Sequence, residues 1–211
     1  MKRGNMKLNK LDLDALREIC NIGAGHASTA LSEMTNKTVD INFPAVKGYQ
    51  IEKIPSLIGK PEELVVTVYL KISGEAKEKS MHVGSFLLIF NEEEAINFAN
   101  LVQNKKSSQL KELDKDALKE TGNILSGACL NAISQFLDFK LVESLPDISV
   151  DMLNSTLDAL LAGMAHISKD SIVFKTDFSI EKHKIKSYFL LFFDPSIYPL
   201  LLKTIKKAQN V

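Results

Sequence analysis

Three polar residues near the start of the chain, Asp14, Glu18 and Asn21, recur at steps of four and three within a helical pattern of apolar residues. At about 100° per residue, their side chains share one narrow stripe of a helix, opposite the apolar side. Ionised carboxylates accept hydrogen bonds, and an amide both accepts and donates them. The stripe is therefore a candidate functional face.

The same residue types return later in the chain as Asp116, Glu120 and Asn123. The differences 116 − 14, 120 − 18 and 123 − 21 are all 102, and a proline (Pro44 or Pro146) follows each Asn after 23 positions. Self-similarity at a fixed period predicts a duplicated unit. A polar helix face is most often only solvated. Asn is a mediocre helix former, so its presence in both copies favours a functional face.

Two long helices are predicted to position these residues, over Leu11–Met34 and Asp114–Leu137. Asn9 or Asp12 is expected to cap the first helix, since short polar side chains satisfy the free N–H groups of a helix start. Apolar residues at steps of three and four predict the opposite, buried side of the first helix: Leu11, Leu16, Ile19, Cys20, Ala27, Ala30, Leu31 and Met34.

Glycines lie inside both helices, at Gly23 and Gly25 in the first and at Gly127 in the second. Each costs about 1 kcal/mol relative to alanine within a helix. We therefore expect small residues to let the first helix approach another surface closely, its twin being one candidate. A dinucleotide-binding loop is rejected, because a helical pattern precedes Gly23 and Ser28 stands where a third glycine is needed.

The remaining pattern predicts strands and shorter helices in the same order in each half. Strands are predicted over Val39–Phe43 (ending at Pro44), Glu63–Ser73, Met81–Phe90, within Ala165–Ile180, and over Ser187–Phe193. Lys47–Ile54 is either a further strand or a short irregular piece before Pro55. Further helices are predicted from Asn91, over Ser149–Met164, and from Pro195. Short connections between strands favour antiparallel pairing. The prediction is an α+β fold: a duplicated single domain with a mainly antiparallel sheet, both long helices on one face, and halves 1–106 and 107–211 sharing one core.

Composition excludes several functions. The 211 residues carry 26 basic and 26 acidic side chains, with no basic patch for nucleic acid and no polybasic tail for a membrane surface. No signal peptide or membrane-spanning stretch is recognisable, so a cytoplasmic protein is expected. Cys20 and Cys129 are predicted to be buried reduced thiols. The four histidines have no ligand spacing, so no metal site is predicted.

The doubled motif Asp-x3-Glu-x2-Asn, with Pro after 22 further residues, resembles the CheC family of chemotaxis phosphatases, whose relatives include CheX and FliY. The runs Asn21–Gly25 and Val150–Met152 add to the resemblance. It implies dephosphorylation of the response regulator CheY, whose substrate group is an acyl phosphate on an aspartate. Two intact motifs imply two active sites in one chain.

The resemblance also implies roles for the motif residues. Phosphoryl transfer passes through a loose transition state, so catalysis is mostly positioning and charge stabilisation. Asn21 and Asn123 are expected to position the attacking water. Glu18 and Glu120 are expected to anchor the regulator by pairing with the lysine of its phosphorylation site. Mg²⁺ is expected to be the regulator's own, because this sequence offers no suitable carboxylate cluster.

Some roles stay open at this point. Asp14 and Asp116 either orient the Glu, contact the partner or serve the helix start, and Pro44 and Pro146 are expected to be structural supports. The alternative function is a largely non-catalytic adaptor that binds the deamidase CheD or a flagellar switch component, FliM being a switch scaffold of this fold. Asp151 matches a position that the family presents to CheD, with a helix-start acid as the equal alternative. Retention of Glu and Asn in both copies favours the enzyme.

Overall fold

The computed structural model describes residues 9–50, 53–76, 79–158, 170–194 and 197–209. Its helices are α1 Lys10–Thr35, α2 Pro55–Ile58, α3 Glu92–Val102, α4 Glu112–Leu137, α5 (described over 153–158) and α6 Tyr198–Gln209. Its strands are β1 Val39–Gln50, β2 Leu64–Ala76, β3 Lys79–Asn91, β4 Leu141–Glu143, β5 Asp147–Met152, β6 Asp170–Ile180 and β7 His183–Phe193. The predicted α+β class is confirmed.

The two long helices, α1 and α4, have 26 residues each. At the start of α1, the Asn9 side chain accepts the Asp12 N–H and the Asp12 carboxylate accepts the Asn9 N–H, both at 2.9 Å, so the predicted cap is a capping box. In α4 the Asp114 carboxylate accepts the Lys111 N–H at 2.8 Å. Each helix ends at a residue in the left-handed conformation, Asn36 (φ 52°) or Asp138 (φ 50°).

The seven strands form one antiparallel sheet in the order β1-β6-β7-β3-β2-β4, with β5 also paired to β2. The first strand of each predicted half therefore joins the other half: β1 lies beside β6, and β4 and β5 lie beside β2. The two halves share one continuous sheet through the β3–β7 pair at its centre. This order is consistent with a duplicated unit, although the duplication itself stays a prediction.

The main core lies between α1, α4 and one face of this sheet. A Cβ atom on Gly23 would lie 2.7 Å from the Cys129 Cα atom, so glycine is required where the two helices meet. Gly25 has open space around it and takes no part in that contact. Cys20 and Cys129 are buried free thiols, as predicted. A hydrogen bond with Cys129, together with burial, raises the pKa of the Cys20 thiol well above its ordinary value.

Strand β1 is longer than predicted. It does not end at Phe43 but continues through Pro44 to Gln50, with a break in register between Asn42 and Ala45. Proline has no N–H to donate, and an edge strand with a bulge tolerates it because one side of the strand has no neighbour. The rule that proline ends a segment was therefore wrong here.

The helix predicted over Ser149–Met164 is also corrected. Residues 147–152 form β5, in which Val150 lies opposite Val66, and the helix begins only at residue 153. Pairing with a buried neighbouring strand outweighed a local apolar spacing that suits either structure. The rest of that prediction from residue 159, and the predicted helix start at Pro195, lie outside the described residues.

The apolar side of α1 is shorter than its pattern predicted. Leu11 is 65% exposed and Met34 is 44% exposed, so the ends of the predicted stripe face outward. Between them the stripe is buried as expected, with Leu16, Cys20 and Ala27 fully covered. Across the described residues, no helix is both long and apolar enough to cross a membrane.

Candidate functional site

The structure places both predicted motifs on the outer surfaces of α1 and α4. The Glu18 side chain is 69% exposed and Glu120 is also exposed, whereas Asn21 and Asn123 are partly buried. The side chains of Asp14 and Asp116 are 42% and 63% exposed. Each acid-and-amide set therefore forms one accessible ridge, and none of its members lies in the core.

In the first ridge, the Asn21 amide is tied to the sheet. Its Oδ1 atom accepts the backbone N–H of Phe43 at 2.8 Å. Ser28 accepts the N–H of Ile41 and Ser32 accepts the N–H of Val39, both at 2.9 Å. Strand β1 is at the edge of the sheet, so these alternate N–H groups have no strand to bind. Three α1 side chains therefore close the open edge.

Ser28 and Ser32 were missed in the sequence. The available signal was their spacing from Asn21, seven and eleven positions on, which places all three on one side of a helix. A side chain of that type facing a neighbouring strand can accept its unpaired N–H groups. Asn21 therefore has a structural role, and its role in positioning water stays a prediction.

The acids of the first ridge share one cation. Arg17 lies 3.1 Å from the Glu18 carboxylate and 3.6 Å from that of Asp14. All three side chains are at least a third exposed, so this pairing contributes little to stability. It does restrict Glu18, which has to leave Arg17 before it can pair fully with another cation.

The side chains of the second ridge make fewer contacts with described residues than those of the first. Lys119 pairs with Asp116 at 2.6 Å, and this hydrogen bond raises the pKa of Lys119. Within the described part of the chain, neither the Glu120 carboxylate nor the Asn123 amide has a hydrogen-bond partner or ion pair. Both groups are therefore available to a partner without first breaking a contact.

The Asn123 amide lacks the strand contact that Asn21 makes because the strand beneath α4 differs from β1. Ser134 accepts the N–H of Leu141 at 3.0 Å, as Ser32 does for Val39 in the first half. Leu130 occupies the position that corresponds to Ser28 in the first half, and a leucine side chain has no atom that could accept a strand N–H. The strand is interrupted between β4 and β5, where Pro146 lies. No strand N–H therefore reaches Asn123 in the described structure.

A groove of about 460 Å³ runs between α1 and α4 beside the second ridge. Asn123 lines it together with His26, Gly127 and Ile22, and Ile22 is 61% exposed. The small residues at the helix contact leave this space open. A partner that approaches the second ridge can therefore reach the Asn123 amide.

The other predicted residues have these positions. Pro44 follows Phe43 in the bulge of β1, directly beneath Asn21. Asp151 is exposed on β5 opposite Val65, and it accepts the adjacent Met152 N–H at 2.7 Å. The predicted position of Asp151 in a helix is therefore wrong, because the residue lies in strand β5. No cluster of three or more His, Cys, Asp or Glu residues suited to a metal is present among the described residues.

The chain displays two acid-and-amide ridges on paired helices of an α+β fold, and proteins of the CheC-like family resemble it. The model of the CheC-like family matches residues 11–47, which span most of α1 and β1. The chain is 27% identical over 177 residues to the CheY-P phosphatase CheC of Bacillus subtilis (strain 168), with 82% of each protein covered. The predicted resemblance to the CheC family is confirmed.

Other relatives extend the comparison. The flagellar motor switch phosphatase FliY of Bacillus subtilis (strain 168) is 28% identical over 178 residues, which cover 82% of this chain and 43% of FliY. Thermotoga maritima FliY has the same fold, with a TM-score of 0.72, 19% identity, and coverage of 96% of this chain and 99% of that one. The middle domain of FliM from H. pylori has a TM-score of 0.62 at 14% identity, covering 93% and 99% of the two chains.

Proposed function

We propose that this chain is a phosphatase that hydrolyses the aspartyl phosphate of a CheY-type response regulator. The observation that supports this proposal best is the pairing of an exposed Glu with a partly buried Asn on each of two outer helical ridges. A relative that matches 82% of the chain is named as a CheY-P phosphatase, which supports the same substrate. A scaffold without catalysis has no need to present this pair twice.

In the proposed reaction, a water oxygen attacks phosphorus and the bond between phosphorus and the aspartate oxygen breaks. The products are a free aspartate carboxylate and inorganic phosphate, which takes the remaining proton of the water. Asn21 or Asn123 holds the water in line, since an amide offers both an acceptor and donors. Glu18 or Glu120 pairs with the regulator's lysine, and the Mg²⁺ that offsets phosphate charge arrives with the regulator.

The two sites are inferred to be unequal. Glu120 and Asn123 lose no hydrogen bond or ion pair to a described residue when they meet a partner, whereas Glu18 exchanges its contact with Arg17. The Asn21 oxygen already accepts one N–H, which leaves its second lone pair and its N–H donors for water. The second site therefore engages the regulator at lower cost, and the first has a more rigid amide.

The test is the decay of phosphorylated CheY with and without this protein. The double variant Asn21→Ala/Asn123→Ala is expected to return decay to the spontaneous rate, a loss of about 100-fold or more, because water positioning is lost. Asn97→Ala, an exposed Asn on α3, is the matched control and is expected to keep full activity. Full activity in the double variant would show that the water is held elsewhere. No acceleration by the unaltered protein would exclude the phosphatase.

CheD remains a second proposed partner through Asp151. The supporting observation is that Asp151 lies exposed on the edge strand β5, away from both ridges in sequence. An edge strand with a free side is a ready surface for another protein. The affinity of CheD is measured for this chain and for the variant Asp151→Lys. Weaker binding to the variant is expected, and equal affinities would contradict the proposal.

A further inference from the structure

Two exposed leucines occupy the same position at the start of α1 and α4. Leu11 is 65% exposed and Leu113 is 73% exposed, and 113 − 11 gives the same 102 that relates the two motifs. Neither packs against the main core. In each helix the next residue is an acid, Asp12 or Asp114, and that acid is only 1% exposed. At both helix starts the apolar residue is therefore exposed and the acid next to it is buried, the reverse of the usual arrangement.

Each leucine continues the ridge of its own helix. It lies three residues before the Asp, seven before the Glu and ten before the Asn. At about 100° per residue, these four positions fall within an arc of about 80°. At about 1.5 Å per residue, the leucine is roughly 10 Å along the helix from the Glu and roughly 15 Å from the Asn.

Folding does not account for leucine at this position. The first turn of a helix favours acidic and small polar residues, which satisfy its free N–H groups and its positive end. Single exposed apolar residues are ordinary on protein surfaces. An exposed leucine stands at the same step of both ridges beside a buried acid, and among the described residues neither copy belongs to the main core.

We propose that Leu11 and Leu113 are docking contacts for the phosphorylated regulator, one at each site. The proposal rests on the proposed phosphatase function and names a further part of its binding surface. The occupant is a folded domain with an apolar patch near the lysine that pairs with Glu18 or Glu120. An interface of ordinary size buries about 800 Å² on each partner, so one docked domain covers leucine, Glu and Asn together.

The test uses the variant Leu11→Gln/Leu113→Gln, because Gln and Leu have similar helix propensities. The initial rate of dephosphorylation is measured against the concentration of phosphorylated CheY. The KM is expected to rise about five- to tenfold while kcat changes less than twofold, since a contact away from the reacting phosphate contributes equally before and during reaction. Met34→Gln, at the far end of α1 and 44% exposed, is the matched control with unchanged KM.

An unchanged KM, or a fall in kcat alone, would overturn the proposal. If the unaltered protein shows no turnover, the phosphatase function fails, and binding of CheY carrying beryllofluoride on its aspartate still decides the leucines. Equal affinity of the unaltered protein and the double variant would then overturn it. Loss of self-association in the variant, at unchanged affinity for CheY, would assign the leucines to contacts between copies instead. The single variants and thermal unfolding verify that the fold is kept.

Discussion

Helices α1 and α4 carry the same motif on helices of the same length, but they are attached to the sheet differently. Three side chains of α1 (Asn21, Ser28 and Ser32) bind the open edge of β1. In α4 only Ser134 binds its strand at a matching position among the described residues. Identical motif residues therefore have different surroundings. The amides of Asn21 and Asn123 are both proposed to serve the reaction. That of Asn21 also supports the fold, whereas that of Asn123 has no hydrogen-bond partner among the described residues.

The helix starts differ in a similar way. The Asp114 carboxylate forms an ion pair with Lys105 and accepts the Lys111 N–H. Burial by itself would raise the pKa of Asp114, but these hydrogen bonds outweigh it and hold the pKa below its ordinary value. Asp12 accepts the Asn9 N–H with one oxygen, and its other oxygen is buried without a partner in the described structure. The buried carboxylate of Asp114 thus has more partners than that of Asp12 among the described residues.

The largest expected difference in stability concerns these two acids. Asp114→Asn is expected to lower the free energy of unfolding by about 2 kcal/mol at neutral pH, because Lys105 loses a buried partner. Asp12→Asn is expected to cost less than about 1 kcal/mol, since no ion pair is broken in the described residues. Urea unfolding of both variants measures the two losses. Equal losses would mean that the ion pair with Lys105 is not what distinguishes the two helix starts.

The ion pair between Asp114 and Lys105 predicts that the free energy of unfolding depends on pH. Because the folded pKa of Asp114 lies below its ordinary value of about 3.9, the charged carboxylate stabilises the fold fully above that value. The contribution is lost as the pH falls through the lower folded pKa. The gap between the unaltered protein and Asp114→Asn should therefore close in acid. A gap that stays constant between neutral pH and pH about 3 would contradict this account.

A smaller difference is expected between the two motif amides. Asn21→Ala leaves the Phe43 N–H without its acceptor and should cost about 1–2 kcal/mol of unfolding free energy. Asn123→Ala removes no hydrogen bond in the described structure and should stay within about 0.5 kcal/mol. Asn21→Asp keeps an acceptor and is the control that should recover most of the loss. Equal costs at both positions would remove the distinction drawn between the two sites.

The smallest difference between the two helices is expected at the serine contact that both of them make. Ser32→Ala and Ser134→Ala each remove one acceptor from a strand N–H, at 2.9 Å and 3.0 Å respectively. Both should therefore lower the free energy of unfolding by about 1 kcal/mol and by the same amount. Chemical denaturation of the two variants side by side measures this. A clear inequality would show that the two strand contacts are not equivalent.

Much of the local structure could be predicted because it depends on neighbouring residues. A cap by Asn9 or Asp12, which the structure shows as a capping box of both, and the bounds of α1 and α4 to within two residues followed from spacing and capping chemistry. The helix predicted at Ser149 was wrong, since pairing of β5 with β2 joins residues far apart in sequence. The exchange of β1 and β4 between the halves was missed for the same reason.

The sequence by itself determined that each Glu and Asn share one helix face, because residue spacing on a helix fixes the angle between side chains. It also determined that this happens twice, 102 residues apart. Only the tertiary structure decided that the Asn21 oxygen is occupied by the N–H of Phe43, 22 residues on, and that Asn123 has no such neighbour in the described structure. The outcome depends on whether the adjacent strand continues through its proline or breaks there, and long-range pairing in the sheet sets that.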